Sequence, residues 1–131
     1  MDFALPWPTT QGEWFAWTSA AITVLFGVLA FFAPRTSFRI LRLEPREDRP
    51  EAIGEARATI AGFYLGIGLS AILLAQPLLY LALGISWAFT AFGRIVSMLS
   101  DRGNTPYNWV SLAVEALLAV LPLVFVFGFV E

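Results

Sequence analysis

The chain predicts an all-α fold, an integral membrane four-helix bundle with both termini outside and a short cytoplasmic amphipathic segment between helices one and two. Three observations carry this. Four apolar runs, Trp14 to Ala33, Ala58 to Ala75, Pro77 to Gly93 and Tyr107 to Val130, punctuate the sequence. Hydrocarbon cannot hydrogen-bond a peptide group, so a segment of roughly 20 apolar residues crosses a bilayer only by pairing its own backbone as a helix. Composition agrees: 58% of the 131 residues are hydrophobic, 14% are charged and mean hydropathy is +0.72, more apolar surface than a soluble 14.4 kDa chain can hide. Finally, the basic residues gather in the connections on one side of the runs, which the positive-inside rule makes cytoplasmic.

Taken in order, Met1 to Glu13 holds Asp2, Pro6, Pro8 and Glu13 but no basic residue, and reads as a short external tail with Trp7 and Trp14 at headgroup level. The first span runs from about 12 to 33 and stops at Pro34. It is longer than a signal-peptide core and lacks a basic flank, so it reads as retained. Arg35, Arg39, Arg42, Arg46 and Arg49 fill the next connection, in which Arg35 to Leu43 can form a helix ended by Pro45, with Phe38 and Leu41 on a separate face from the arginines. The second span, about 50 to 76, opens at Pro50 with Glu51 and Glu55 favouring the positive end of its dipole. Pro77 opens the third span, 77 to 100, after an uncharged external turn. Fusing the two would give roughly 36 apolar residues at ~1.5 Å each, far more than a ~30 Å core needs. Asp101 to Pro106 makes a cytoplasmic turn, with Thr105 as N-cap and Pro106 at the first position of the fourth span, 106 to 130. Residues 1 to 131 thus form one transmembrane domain.

The chain contains no cysteine and no histidine. That removes the usual ligands of zinc, copper and iron centres and the commonest proton-transfer group near neutral pH. A net charge of -2 implies no nucleic-acid partner. The use of arginine for all eight basic residues suggests a GC-rich, bacterial source. Glu44, Glu47, Asp48, Glu51 and Glu55 resemble a hard-metal cluster by count, but interleaved arginines and prolines favour charge balance, and neither a metal nor a cofactor is expected.

Charges within the membrane layer are fewer and more telling. Glu55 and Arg57 lie at the cytoplasmic end of helix two, Arg94 near that end of helix three, and Glu115 about two turns into helix four. Arg94 and Glu115 reach comparable depth and can pair across the hairpin, with Glu55 and Arg57 joining the layer. The four read either as an ion-pair network fixing helix register, the favoured account because the signs balance, or as the polar floor of a site for a headgroup, quinone or proton. Arg35, Arg39 and Arg42 are candidates for anionic-lipid contact, against a plainer role as a topology signal. Ala58, Gly62, Gly66 and Ser70 recur every four residues on helix two and are expected to serve helix packing within the bundle, with a homodimer or partner-helix interface as the alternative. Ala82, Ser86 and Thr90 form a similar stripe. Tyr64 and Trp87 near mid-membrane need polar partners or a cavity, and Pro122 should bend helix four.

Glu55-Ala56-Arg57, followed by Gly62, Tyr64, Gly66 and Gly68, then Gly93-Arg94, Asp101-Arg102-Gly103 and Glu115, resembles an uncharacterised family of small bacterial four-helix membrane proteins, broadly DoxX-like, over about residues 26 to 126. The resemblance implies a compact bundle in the bacterial inner membrane, with Glu55, Arg57, Arg94, Asp101 and Glu115 as its polar signature. One branch carries a phage-infection name and some DoxX-like proteins are subunits of quinone-linked systems; neither property transfers to this chain. Ala61 stands where a glycine is expected before Gly62, and Arg102 separates Asp101 from Gly103. No catalytic residues carry over.

The expected function is therefore a non-catalytic accessory or assembly subunit of a larger inner-membrane complex, with membrane lipids and other subunits or itself as partners. The alternative is a lipid- or quinone-binding or transport protein built on the Glu/Arg layer. A lipid-active enzyme ranks below both, since nothing supplies an activated nucleophile.

Overall fold

The computed structural model describes residues 5 to 130; Asp2 and the start of the expected external tail lie outside the described residues. Four helices are long and apolar enough to cross a membrane: α1 (Gln11–Phe32), α3 (Glu51–Leu74), α4 (Pro77–Ser100) and α5 (Pro106–Val126), with a short α2 (Pro34–Ile40) after the first.

Local chemistry sets the boundaries. Thr10 caps α1 by accepting from the Glu13 N–H at 3.2 Å, while the Glu13 carboxylate accepts from the Thr9 N–H at 2.8 Å, so two donors are satisfied reciprocally. Trp7 and Trp14 pack their rings on Trp17, with centroids 6.0 and 5.6 Å apart. Ala33 leaves the helical region because Pro34 follows it, and Pro34 then opens α2. The expected helix to Leu43 stops at Ile40. Arg42 adopts a left-handed φ of 57°, and the Leu43 N–H reaches the Phe38 carbonyl at 2.8 Å, a Schellman closure that ends the helix before Pro45 is reached.

In α3, Pro50 is the cap and Glu51 the first helical residue, and Ala56–Ile60 forms a π-helical turn inside the span. The span ends at Leu74, two residues short of expectation. Ala75 turns left-handed at φ 50° and Gln76 is extended ahead of Pro77, which opens α4 as predicted. Thr105 caps α5 by accepting from the Asn108 N–H at 3.2 Å, with Pro106 at the first position, also as predicted. The helix ends at Val126 rather than 130, since Gly128 at φ 78° lets the Phe129 N–H close back onto Val124 at 2.9 Å.

The four long helices form two sequence-local pairs, α1 with α3 and α4 with α5, joined through α1 and α5; α3 and α4 touch much less extensively. The core is built from small side chains and a few large ones: Ala16, Ala20, Ala71, Tyr80, Leu83, Trp87, Leu118 and Ala119. Close approach is glycine-dependent at several points, Gly68 and Gly84 among them. A Cβ on Gly68 would lie 2.7 Å from Val24 and 3.1 Å from the Ala20 carbonyl, and one on Gly84 would lie 2.7 Å from Leu123 and 3.2 Å from the Ala119 carbonyl. This corrects the packing face assigned from sequence. Ala58, Gly62 and Gly66 are exposed, Ser70 is half-buried, and a Cβ on Gly62 or Gly66 would meet nothing; the side of α3 against α1 carries Ala61, Gly68 and Ala71 instead. Both stripes are small-residue patterns, and only the position of α1 distinguishes them. Ser86 and Thr90 on α4 are also exposed and satisfy their hydroxyls on their own helix, at the Ala82 and Ser86 carbonyls.

A polar ladder crosses the apolar middle. Pro122 has no N–H, so the Leu118 carbonyl one turn earlier lacks its intrahelical donor; the Ser19 hydroxyl of α1 donates to it at 2.6 Å. One turn on, Thr23 donates to the Ser19 carbonyl at 2.8 Å and accepts from the Trp87 indole at 2.9 Å. Three helices are thereby pinned in register with every one of these polar atoms satisfied.

A charge-paired cavity at the arginine-rich end

The residues that could act chemically converge near the end of the molecule where the arginine-rich connection lies. Arg94 is six residues before the end of α4, and Glu115 lies two turns after Asn108 on the same face of α5. The antiparallel α4–α5 pair brings them together. Arg94 donates through Nε to Glu115 Oε1 and through Nη2 to Oε2 at 3.2 Å, a bidentate pair, and through Nη1 to Asn108 Oδ1 at 2.7 Å. Glu115 is buried, whereas the Arg94 side chain keeps about a quarter of its surface exposed. Asn108 also donates to the Gly103 carbonyl at 2.8 Å, tying the pair to the α4–α5 turn.

Arg94 and Glu115 form one wall of a cavity of about 350 Å³ to which all five helices contribute. Phe26 and Ala30 of α1, Ile60 and Tyr64 of α3, and Trp87 of α4 give it a mostly apolar lining. The aromatic rings interlock there, Trp87 lying 6.1 Å from Phe26 and 5.6 Å from Tyr64 between centroids. Ser37, Phe38, Ile40 and Leu41 close it at the end where α2 folds over. That cover is held by the Tyr107 hydroxyl, which donates to the Ile40 carbonyl at 2.8 Å, and by the Arg42 guanidinium 5.0 Å above the Tyr107 ring. Its size is in the range of small-molecule sites, and so is its make-up of hydrophobic wall with a few convergent polar groups.

The structure divides the residues singled out from sequence. It joins Arg94 to Glu115, but Glu55 and Arg57 do not enter their layer. Both are exposed; Arg57 Nε donates to the Phe31 carbonyl at 3.0 Å, and Glu55 makes no ion pair among the described residues. Their position in the first turns of α3, Glu55 just before the π-helical turn and Arg57 within it, puts them within reach of water and of the end of α1 rather than of α4 and α5. Asp101, matched in the same signature, is exposed after the last turn of α4. Arg35, Arg39 and Arg42 are all exposed, while Ser37 and Phe38 face inward, so α2 has the two-sided character expected of it. Of the two mid-membrane aromatics, Trp87 donates to Thr23, whereas Tyr64 lines the cavity and makes no side-chain hydrogen bond among the described residues.

Sequence reasoning missed Asn108, Ser37 and the Ser19–Thr23 ladder. Asn108 was discoverable, since it stands seven residues before Glu115 and therefore on the same helical face. Ser37 gave no sign, because its role comes from α2 folding back.

Fold and site together define a small helical protein with four membrane-length helices around a charge-balanced, largely apolar cavity. A family model described as Domain of unknown function (DUF4345) matches residues 12 to 126, and the chain belongs to that family. The match takes in nearly all of α1 as well as the region from 26 onward that carried the resemblance. Neither a curated protein nor a solved structure matches the chain.

Proposed function

We propose that this protein is a non-catalytic binding protein for a lipid-soluble small molecule, held in the cavity between the helices. The observation that carries the reading is a cavity of about 350 Å³ with aromatic walls and one charged wall, the Arg94–Glu115 pair. A pair needed only to set register could be packed over by side chains; here it borders open volume. The reading is tested by native mass spectrometry of protein extracted in mild detergent. A retained small-molecule adduct is expected, and it should be lost when the cavity is filled by Ala30→Phe or, as a second route, Ser111→Phe, with helicity checked by circular dichroism. A wild-type spectrum showing bare protein alone would remove the reading.

An accessory role in a larger membrane complex is the second reading, favoured by the exposed small-residue stripe Ala58, Gly62, Gly66 on α3, where another helix could approach closely. The same spectra address it, since a co-purifying protein subunit and a small-molecule adduct differ in mass.

For location we propose the bacterial inner membrane, in the broadly DoxX-like manner, with both termini outside and Arg35, Arg39 and Arg42 on anionic lipid at the cytoplasmic face. Support comes from the arginine distribution and from the outward side of α2. The cysteine-free chain makes the test clean. In intact cells a membrane-impermeant maleimide should label Gln76→Cys and leave Arg46→Cys unlabelled until the cells are opened. Labelling of Arg46→Cys from outside would reverse the orientation.

A further inference from the structure

The charges that line the cavity limit what can occupy it. Among the described residues, Arg94 and Glu115 are the only charged ones lining it, and they cancel. An anionic group placed beside them would add to the Glu115 charge, and a cationic group to that of Arg94, in surroundings too apolar to screen either. The pair has nevertheless not exhausted its hydrogen bonding. Its three bonds use three of the five guanidinium N–H groups, leaving donors for an uncharged oxygen.

A second, independent observation lies on α2. Ser37 of α2 lines the cavity, is only 7% exposed, and its hydroxyl has no hydrogen-bond partner. A buried serine usually satisfies itself on the carbonyl one turn back, and a buried unpaired hydroxyl is costly enough to need a reason. The Tyr64 hydroxyl, on a residue that also lines the cavity, makes no hydrogen bond within the described residues. Three residues with unspent hydrogen-bonding capacity, Ser37, Tyr64 and Arg94, therefore line one aromatic-walled space whose charged residues cancel.

We infer that the occupant is an uncharged amphipath, a molecule with a hydroxyl or carbonyl head and a hydrocarbon body, its oxygen bonded by Ser37 and Arg94 and its body against Phe26, Tyr64 and Trp87. This rests on the small-molecule reading above and narrows it by charge. Long-chain alcohols and monoacylglycerols share this chemistry; fatty acids and alkylamines of equal length do not.

The purified full-length protein in non-ionic detergent is offered decanol, 1-decanoylglycerol, decanoate and decylammonium at equal concentration and pH 8, with occupancy read by native mass spectrometry and by thermal shift. Decanol or 1-decanoylglycerol should exceed both ions by roughly tenfold or more, the size expected for an unbalanced charge in a weakly screened site. Whichever of the two neutral probes dominates distinguishes a simple alcohol from a glyceride. Ser37→Ala should weaken the neutral probe by roughly threefold to tenfold, as for loss of one hydrogen bond. Glu115→Gln should shift preference towards decanoate, because Arg94 is then uncompensated, and decanoate should raise the thermal midpoint of that variant. If the ions bind as well as the neutral probes and Ala30→Phe still abolishes binding, the cavity is a binding site and the charge inference is overturned. If no probe binds and the native protein carries no adduct, both fall. Unchanged neutral-probe binding in Ser37→Ala together with unchanged preference in Glu115→Gln would also overturn it.

Discussion

Glu115→Gln should destabilise the protein by about 3 kcal/mol, the low end of what breaking one side of a buried, bidentate ion pair costs. The low end applies because Glu115 is buried whereas Arg94 retains contact with solvent, and the Asn108 bond to Arg94 survives. Removing both charges is a different experiment. In Arg94→Met with Glu115→Leu, no uncompensated charge is left in an apolar wall, and most of the loss should return. Heat or denaturant unfolding followed by circular dichroism in the same detergent gives the cycle. Losses that simply add in the double variant would mean that the two side chains do not act as a unit, and would undermine the treatment of the cavity wall as electrically neutral.

The second large effect is expected at Ser19, a buried hydroxyl on α1. Ser19→Ala removes the donor to a carbonyl that Pro122 has deprived of its normal partner, in a fully buried position, so about 2 kcal/mol should be lost. Dependence on the proline is the diagnostic. With Pro122→Ala in place, residue 122 supplies an N–H to Leu118, and the further cost of Ser19→Ala should shrink to less than about 1 kcal/mol. A full-sized penalty in the Pro122→Ala background would show that Ser19 matters through packing alone.

Much of the fold was legible because a bilayer restricts what an apolar run can be. Span number, the Pro77 start, the Thr105-Pro106 cap and the pairing of Arg94 with Glu115 follow from length, proline chemistry and helical depth. The errors share a cause. The positions Ala58, Gly62, Gly66 and Ser70 form as good a stripe as Ala61, Gly68 and Ala71, and only the placement of α1 selects between them. Arg57 was assigned by charge and depth, yet a carbonyl at the end of α1 claims it. Left-handed closures at Arg42 and Ala75 use residues with no intrinsic preference for that conformation, so the two helices end earlier than their composition suggests. Ser37 became notable only when α2 laid it against helices distant in sequence. Whether a cavity exists is likewise decided by side-chain volumes summed over five helices, a quantity that no local motif encodes.

The uneven joints between the helices have a mechanical corollary. Three seams are extensive, the one between α1 and α5 stitched by the Ser19 bond, while the seam between α3 and α4 is sparse apart from its short tether at Ala75 and Gln76. A ring with one slack joint widens there first, since the fewest packed atoms must part. For a guest of the kind proposed, girth is thus the property to which the chamber would be most forgiving, and polarity the one to which it would be least.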